Sequence, residues 1–132
     1  MTDDRDPRPN FSDITVTTHG CSKVVFVAGQ VAENSALGMA SQTSEVLGLI
    51  DSLLEHAGAR REHIVSAQIY LVSAGDYAEV IAVWNAWVAP GLAPARATVG
   101  PKLINNASKV VIEVTAAFTP VRLPPTSRTH AP

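Results

Sequence analysis

Val46-Leu47-Gly48-Leu49-Ile50-Asp51-Ser52-Leu53-Leu54-Glu55-His56-Ala57-Gly58 is the stretch that decides the fold class. Val46, Leu47, Ile50, Leu53, Leu54 and Ala57 recur at three- and four-residue spacing, with Ser44, Glu45, Asp51 and Glu55 opposite. The pattern predicts an amphipathic helix from about Met39 to His56, with Gly58 as its stop. A helix with a single apolar stripe must bury it against another element. The sequence on either side supplies a sheet.

On the N-terminal side, Ile14-Thr15-Val16-Thr17-Thr18 alternates apolar and polar residues, as a half-buried strand does. His19-Gly20-Cys21-Ser22 reads as a turn and Lys23-Val24-Val25-Phe26-Val27-Ala28 as a second strand, so a hairpin is expected. Gly29 reads as the end of that strand, where glycine permits positive φ or close approach by a ligand. Gln30-Val31-Ala32 then opens a loop. On the C-terminal side, His63 to Val72 predicts a strand with Val65, Ala67, Ile69 and Leu71 on one face and Ser66, Gln68 and Tyr70 on the other. Ser73-Ala74-Gly75-Asp76 leads into a second helix, capped by Ser73 or Asp76, with Val80, Val83, Trp84 and Trp87 as its apolar stripe. Pro90-Gly91 ends it. Arg96 to Gly100 and Lys109 to Thr119 are the last strands, with Asn105-Asn106 in the connection between them. The order is β-β-α-β-α-β-β: an α+β sandwich of one sheet layer and one helix layer.

A chain of 132 residues is one ordinary domain. Met1 to Pro9 and Arg122 to Pro132 are polar or proline-rich and without periodicity, so 1–9 and 122–132 are expected to be flexible tails around a domain at 10–121. Hydrophobic residues make up 46% and charged residues 17%, which predicts a folded chain with apolar surface left over for self-association. The net charge of −2 and the absence of a basic stripe argue against nucleic acid as a partner. No apolar stretch is long enough to span a membrane, and no signal-peptide pattern precedes the domain. The single Cys21 excludes an internal disulfide framework. The default location is cytoplasmic. His19, Cys21, His56 and His63 have no metal-ligand spacing, so no metal is expected.

Two charges stand out. Arg96 in Ala93-Pro94-Ala95-Arg96-Ala97-Thr98-Val99 and Glu113 in Val110-Val111-Ile112-Glu113-Val114-Thr115 are the only charged residues of those runs. A charge in a strand-like apolar segment is costly unless paired, hydrogen-bonded or facing a cavity. One reading makes them a structural ion pair between neighbouring strands. The other brings them together around a small anionic substrate.

The chain resembles the RidA (YjgF-type) family of reactive-intermediate deaminases. The resemblance rests on Val25-Phe26-Val27-Ala28-Gly29-Gln30-Val31, Gln42-Thr43 with Val46-Leu47, and Ala57-Gly58-Ala59. It continues in Asp76-Tyr77-Ala78-Glu79-Val80, Pro94-Ala95-Arg96 and Ile112-Glu113-Val114, in order over about Val24 to Phe118. It implies a chorismate-mutase-like fold, a mixed but mostly antiparallel sheet with two helices on one face, and homotrimers with clefts between subunits. It also implies cofactor-free hydrolysis of enamine or imine intermediates of amino acids to a 2-keto acid and ammonia. Arg96 matches the arginine that grips the substrate carboxylate, for which a guanidinium fork is suited. Glu113 matches the glutamate that positions the attacking water.

Three positions depart from the family: Ala28 replaces the serine before glycine-glutamine, Ile81 an asparagine early in the second helix, and Thr98 a cysteine two residues after the arginine. They point to a more apolar pocket. The candidate site is therefore Glu113 and Thr98 for chemistry, with Arg96, Gly29, Ala28, Ile81 and Phe11 for substrate binding; Phe11 is placed as an aromatic lid. The alternative is a non-catalytic trimer that binds small carboxylic acids. Some relatives are labelled ribonucleases, an activity the acidic balance argues against.

Overall fold

The structure is a computed structural model that describes residues 13–33, 38–88, 91, 94–99 and 109–120. Five strands, β1 (Ile14–His19), β2 (Ser22–Gln30), β3 (Ile64–Leu71), β4 (Ala95–Val99) and β5 (Val110–Phe118), form one sheet in the order β1-β2-β5-β3-β4. All neighbours are antiparallel except β3 and β4, which run parallel around the helical crossover between them. Two helices, α1 (Met39–His56) and α2 (Tyr77–Trp87), make the second layer. The mixed, mostly antiparallel sheet, the two helices and the order of elements along the chain agree with the expected α+β architecture. The expected tails, Phe11, Asn105-Asn106 and Pro90 lie outside the described residues.

The core sits between the layers. Val46, Leu47, Ile50 and Leu54 of α1 and Val80 and Trp84 of α2 are buried against Val25, Val27, Ile69, Val110, Ile112, Val114 and Ala116 of the sheet. Helix α1 ends as Gly58 predicts. Gly58 has φ 84°, its N–H reaches the Glu55 carbonyl at 3.0 Å, and the Ala59 N–H reaches the Leu54 carbonyl at 2.8 Å. That pair of bonds satisfies carbonyls the helix leaves open and requires a left-handed residue between them. Gly58→Ala is expected to destabilise the fold by about 1 kcal/mol, read as a lower denaturant midpoint at unchanged slope. Gly20, with φ 63°, makes the corresponding turn between β1 and β2. Ser73 caps the short 3₁₀ turn before α2, its hydroxyl accepting from the Gly75 N–H at 3.2 Å, whereas Asp76 makes no capping bond.

Two strand expectations are corrected. Gly29 does not end β2, which continues to Gln30. Its φ is not positive. A Cβ at Gly29 would stand 2.7 Å from Val111 Cγ1, so the glycine allows β2 to lie close to β5 where the pairing shifts register between Val27 and Gln30. Val65 was expected in the core with Ala67, Ile69 and Leu71, yet it is exposed. The register against β5 slips between Ile64 and Ser66, and this one-residue bulge turns Val65 outward while Ile64 takes the buried position.

Candidate functional site

The sheet has two faces, and paired residues on neighbouring strands share one. One row across the helix-covered face is Ile14, Val27, Val114, Ala67 and Arg96. On the opposite, uncovered face, Glu113 pairs with Gln68, which in turn pairs with Ala97. Arg96 and Glu113 therefore point to opposite sides of the sheet. No ion pair joins them, and the structural salt bridge is ruled out within one chain. Each has other company. The Arg96 guanidinium donates from Nη1 to the Thr98 hydroxyl at 2.6 Å, two residues along the exposed edge strand β4. Glu113 accepts from the Tyr70 hydroxyl at 3.1 Å.

Glu113 stands half-buried between Ile112 and Val114, both packed in the core. Alternation along β5 drives those neighbours inward and turns the carboxylate to the free face. Beside it on that face lies a depression of about 150 Å³ lined by Phe26, Ser66, Gln68, Glu113 and Thr115, without a cationic side chain. Phe26 is 46% exposed there, a large apolar ring on a face that no described element of the chain covers. Tyr70 extends the polar group. Its hydroxyl touches Gln68 Oε1 as well as Glu113. Partial burial, the hydrogen bond to Glu113 and the carboxylate's charge together hold the phenol above its ordinary pKa.

The remaining candidates divide in the same way. Gly29 is exposed and in contact range of Val111, next in sequence but one to Glu113 on the same face. Ala28 is anchored through its backbone, its N–H donating to the Asp13 carbonyl at 2.9 Å and its carbonyl accepting from Gln30 Nε2 at 2.9 Å. Ile81 belongs to the helix layer and packs against the core, on the side of Arg96 and Thr98. One chain thus carries two partial sites: Glu113 and Gly29 on the free face, and Arg96, Thr98 and Ile81 on the helix side.

Tyr70 and Gln68 were not among the sequence candidates. Alternation along His63–Val72 already placed both on the polar face, but only the pairing of Gln68 with Glu113 reveals what they touch. A larger hollow, about 520 Å³, lies elsewhere, at Asp51, Arg61 and Trp87. Its polar groups satisfy one another. Arg61 donates to Asp51 at 2.7 Å and to the Trp87 carbonyl at 2.8 Å, and Trp87 Nε1 donates to Asp51 at 3.0 Å. With the guanidinium 4.8 Å above the Trp87 ring, this cluster ties α1 to α2. Among the described residues no group of His, Cys, Asp and Glu could hold a metal ion, and no helix is long and apolar enough to cross a membrane.

The architecture is that of a two-layer α+β protein with a carboxylate displayed on an uncovered sheet face. The family described as endoribonuclease L-PSP matches residues 3–118. A RutC family protein of Haemophilus influenzae is 38% identical over 111 residues, covering 83% of this chain and 92% of that protein. The RutC family protein YoaB of Escherichia coli K12 is 34% identical over 112 residues, covering 85% and 94%. NMB1025 of Neisseria meningitidis, a YjgF family member of known crystal structure, is 40% identical with a TM-score of 0.67, over 79% of this chain and 93% of that one. The chain belongs to this family, known by the names L-PSP, RutC and YjgF.

Proposed function

We propose that the protein is a cofactor-free hydrolase that deaminates enamine and imine intermediates derived from amino acids, releasing a 2-keto acid and ammonia. The observation that carries this reading is the division of Arg96 and Glu113 between opposite faces. A substrate needing both groups is served only where Arg96 of one chain meets Glu113 of another, which the exposed Phe26 face and exposed β4 edge allow. A homotrimer, as the family resemblance implies, closes such a ring of identical contacts.

The chemistry is hydrolysis of a carbon–nitrogen double bond. Arg96, held in line by Thr98, grips the carboxylate of the 2-imino acid with its planar fork. Water attacks the imine carbon while Glu113 takes one of its protons. The π electrons of the C=N bond move to nitrogen, which receives the proton Glu113 has just taken from water, and a carbinolamine results. Glu113, again a carboxylate, then takes the hydroxyl proton and passes it to the nitrogen as the C–N bond breaks, leaving a keto group and ammonia. Water and proton transfer complete the balance, so the reaction calls for no redox partner. Ala28 and Ile81 in place of the family's serine and asparagine remove two hydrogen-bonding side chains, while Thr98 in place of the cysteine keeps a hydroxyl on Arg96; carboxylate grip and water activation stay in place, and an apolar side chain on the substrate is favoured. An endoribonuclease activity fits less well, because the chain, with a net charge of −2, carries no basic stripe to follow a nucleic-acid backbone.

The test is release of ammonia and 2-keto acid from freshly generated 2-aminoacrylate and bulkier imines. Wild type is expected to accelerate release, with Arg96→Ala raising KM steeply and Glu113→Gln lowering kcat by about 10²–10⁴-fold. If no imine is hydrolysed while 2-keto-acid binding disappears only in Arg96→Ala, the protein is a carboxylate binder instead.

A further inference from the structure

The hydroxyl of Tyr70 has one proton and lies within reach of two side chains, Gln68 and Glu113. A tyrosine donates once and accepts through its lone pairs. Both contacts are hydrogen bonds at the same time only if Gln68 turns its amide NH₂ to the phenol oxygen. As placed, Gln68 Oε1 and Glu113 compete for the one phenol proton; with the amide turned over, the contacts become a one-way chain, Gln68 to Tyr70 to Glu113, ending on the carboxylate. Register enforces it: Gln68 is directly opposite Glu113, and Tyr70 is two residues further along the same face of β3.

We propose that Tyr70, backed by Gln68, is the positioning residue for Glu113, fixing one carboxylate oxygen so that the other is presented to the attacking water. The inference rests on the deaminase reading and deepens it. A carboxylate with a free χ3 spends its time in orientations that cannot take the proton, and a hydrogen bond to one oxygen removes that freedom. The donor stays in place at working pH: a tyrosine phenol is protonated there in any case, and partial burial, the hydrogen bond to Glu113 and the carboxylate's charge all act to keep it so. Substrate carboxylate does not reach this tyrosine in the scheme above, so its contribution falls on turnover rather than on binding.

The experiment compares Tyr70→Phe, Gln68→Leu, the double variant and Glu113→Gln for imine hydrolysis, with thermal melting alongside. Tyr70→Phe is expected to lower kcat roughly 10-fold or more, the scale of a hydrogen bond to a charged group, at unchanged KM and melting temperature. Gln68→Leu lowers kcat less, and the double variant is no slower than Tyr70→Phe alone. In a Tyr77→Phe background, the ultraviolet titration of Tyr70 moves down towards the ordinary tyrosine range when Glu113 becomes Gln. Wild-type kcat in Tyr70→Phe with an inactive Glu113→Gln overturns this inference alone, as does a raised KM at full kcat. Equal rates for wild type and Glu113→Gln overturn the deaminase reading and this inference with it.

Discussion

Arg96→Ala and Glu113→Gln chains, each inactive alone, regain imine hydrolysis when assembled together. The expectation follows from the faces of the sheet. Within one chain the Arg96 row includes Val27, Val114 and Ala67, all buried under the helices, while Glu113 and its partner Gln68 face the other way. A site with both functions then takes them from two different chains. A Glu113→Gln chain still offers an intact arginine, and an Arg96→Ala chain still offers an intact carboxylate. On statistical mixing of equal amounts, about a quarter of the sites between chains in a closed ring receive both. Co-refolding the two variants and measuring ammonia release against each variant alone checks this. Recovery to roughly that fraction of wild type is expected, with loss of recovery on a third, doubly substituted chain. Mixed assemblies as inactive as their parents would mean that both groups come from one subunit, which the register opposes.

How far the sequence carries the reading depends on whether a feature is local. Helix α1 was legible because Val46, Leu47, Ile50 and Leu54 repeat within the segment itself and Gly58 marks its end; all four are buried and the glycine has the left-handed φ. Val65 was misread because alternation assumes an unbroken strand, and the bulge that turns it outward exists only in the pairing of β3 with β5. Gly29 was recognised as special, but its reason, the Val111 side chain 2.7 Å from where a Cβ would be, belongs to another strand. The same limit governs the site. Arg96 and Glu113 stood out singly as charges in apolar runs, yet whether they share a face depends on the parity of two registers, β4 on β3 and β3 on β5. Tyr70 needed one register more than periodicity supplies.

Ile112→Ala and Glu113→Gln, at adjacent positions, separate stability from chemistry. Ile112 is fully buried in the central strand, beneath the helices, with Ile69 beside it on β3. Truncating it to alanine removes three carbons from a packed interior and leaves a cavity that a sheet held on both sides closes poorly, a cost of about 2–5 kcal/mol. For a domain of this length that is a fall in melting temperature of roughly 10 °C or more. The surviving folded molecules keep Glu113, Tyr70 and the free face, so turnover per folded chain below the new transition stays near wild type. Glu113→Gln reverses the pattern. The side chain is half-buried, the amide is isosteric with the carboxylate, and its oxygen can still accept from Tyr70, so melting shifts little. The proton acceptor is gone, and kcat falls by about 10²–10⁴-fold. Melting curves and single-turnover rates on the two purified variants at matched concentration decide it. If Glu113→Gln melted as early as Ile112→Ala, the carboxylate would be a structural element of the sheet; if Ile112→Ala lost turnover at full stability, the division of β5 into a face that folds and a face that reacts would be wrong.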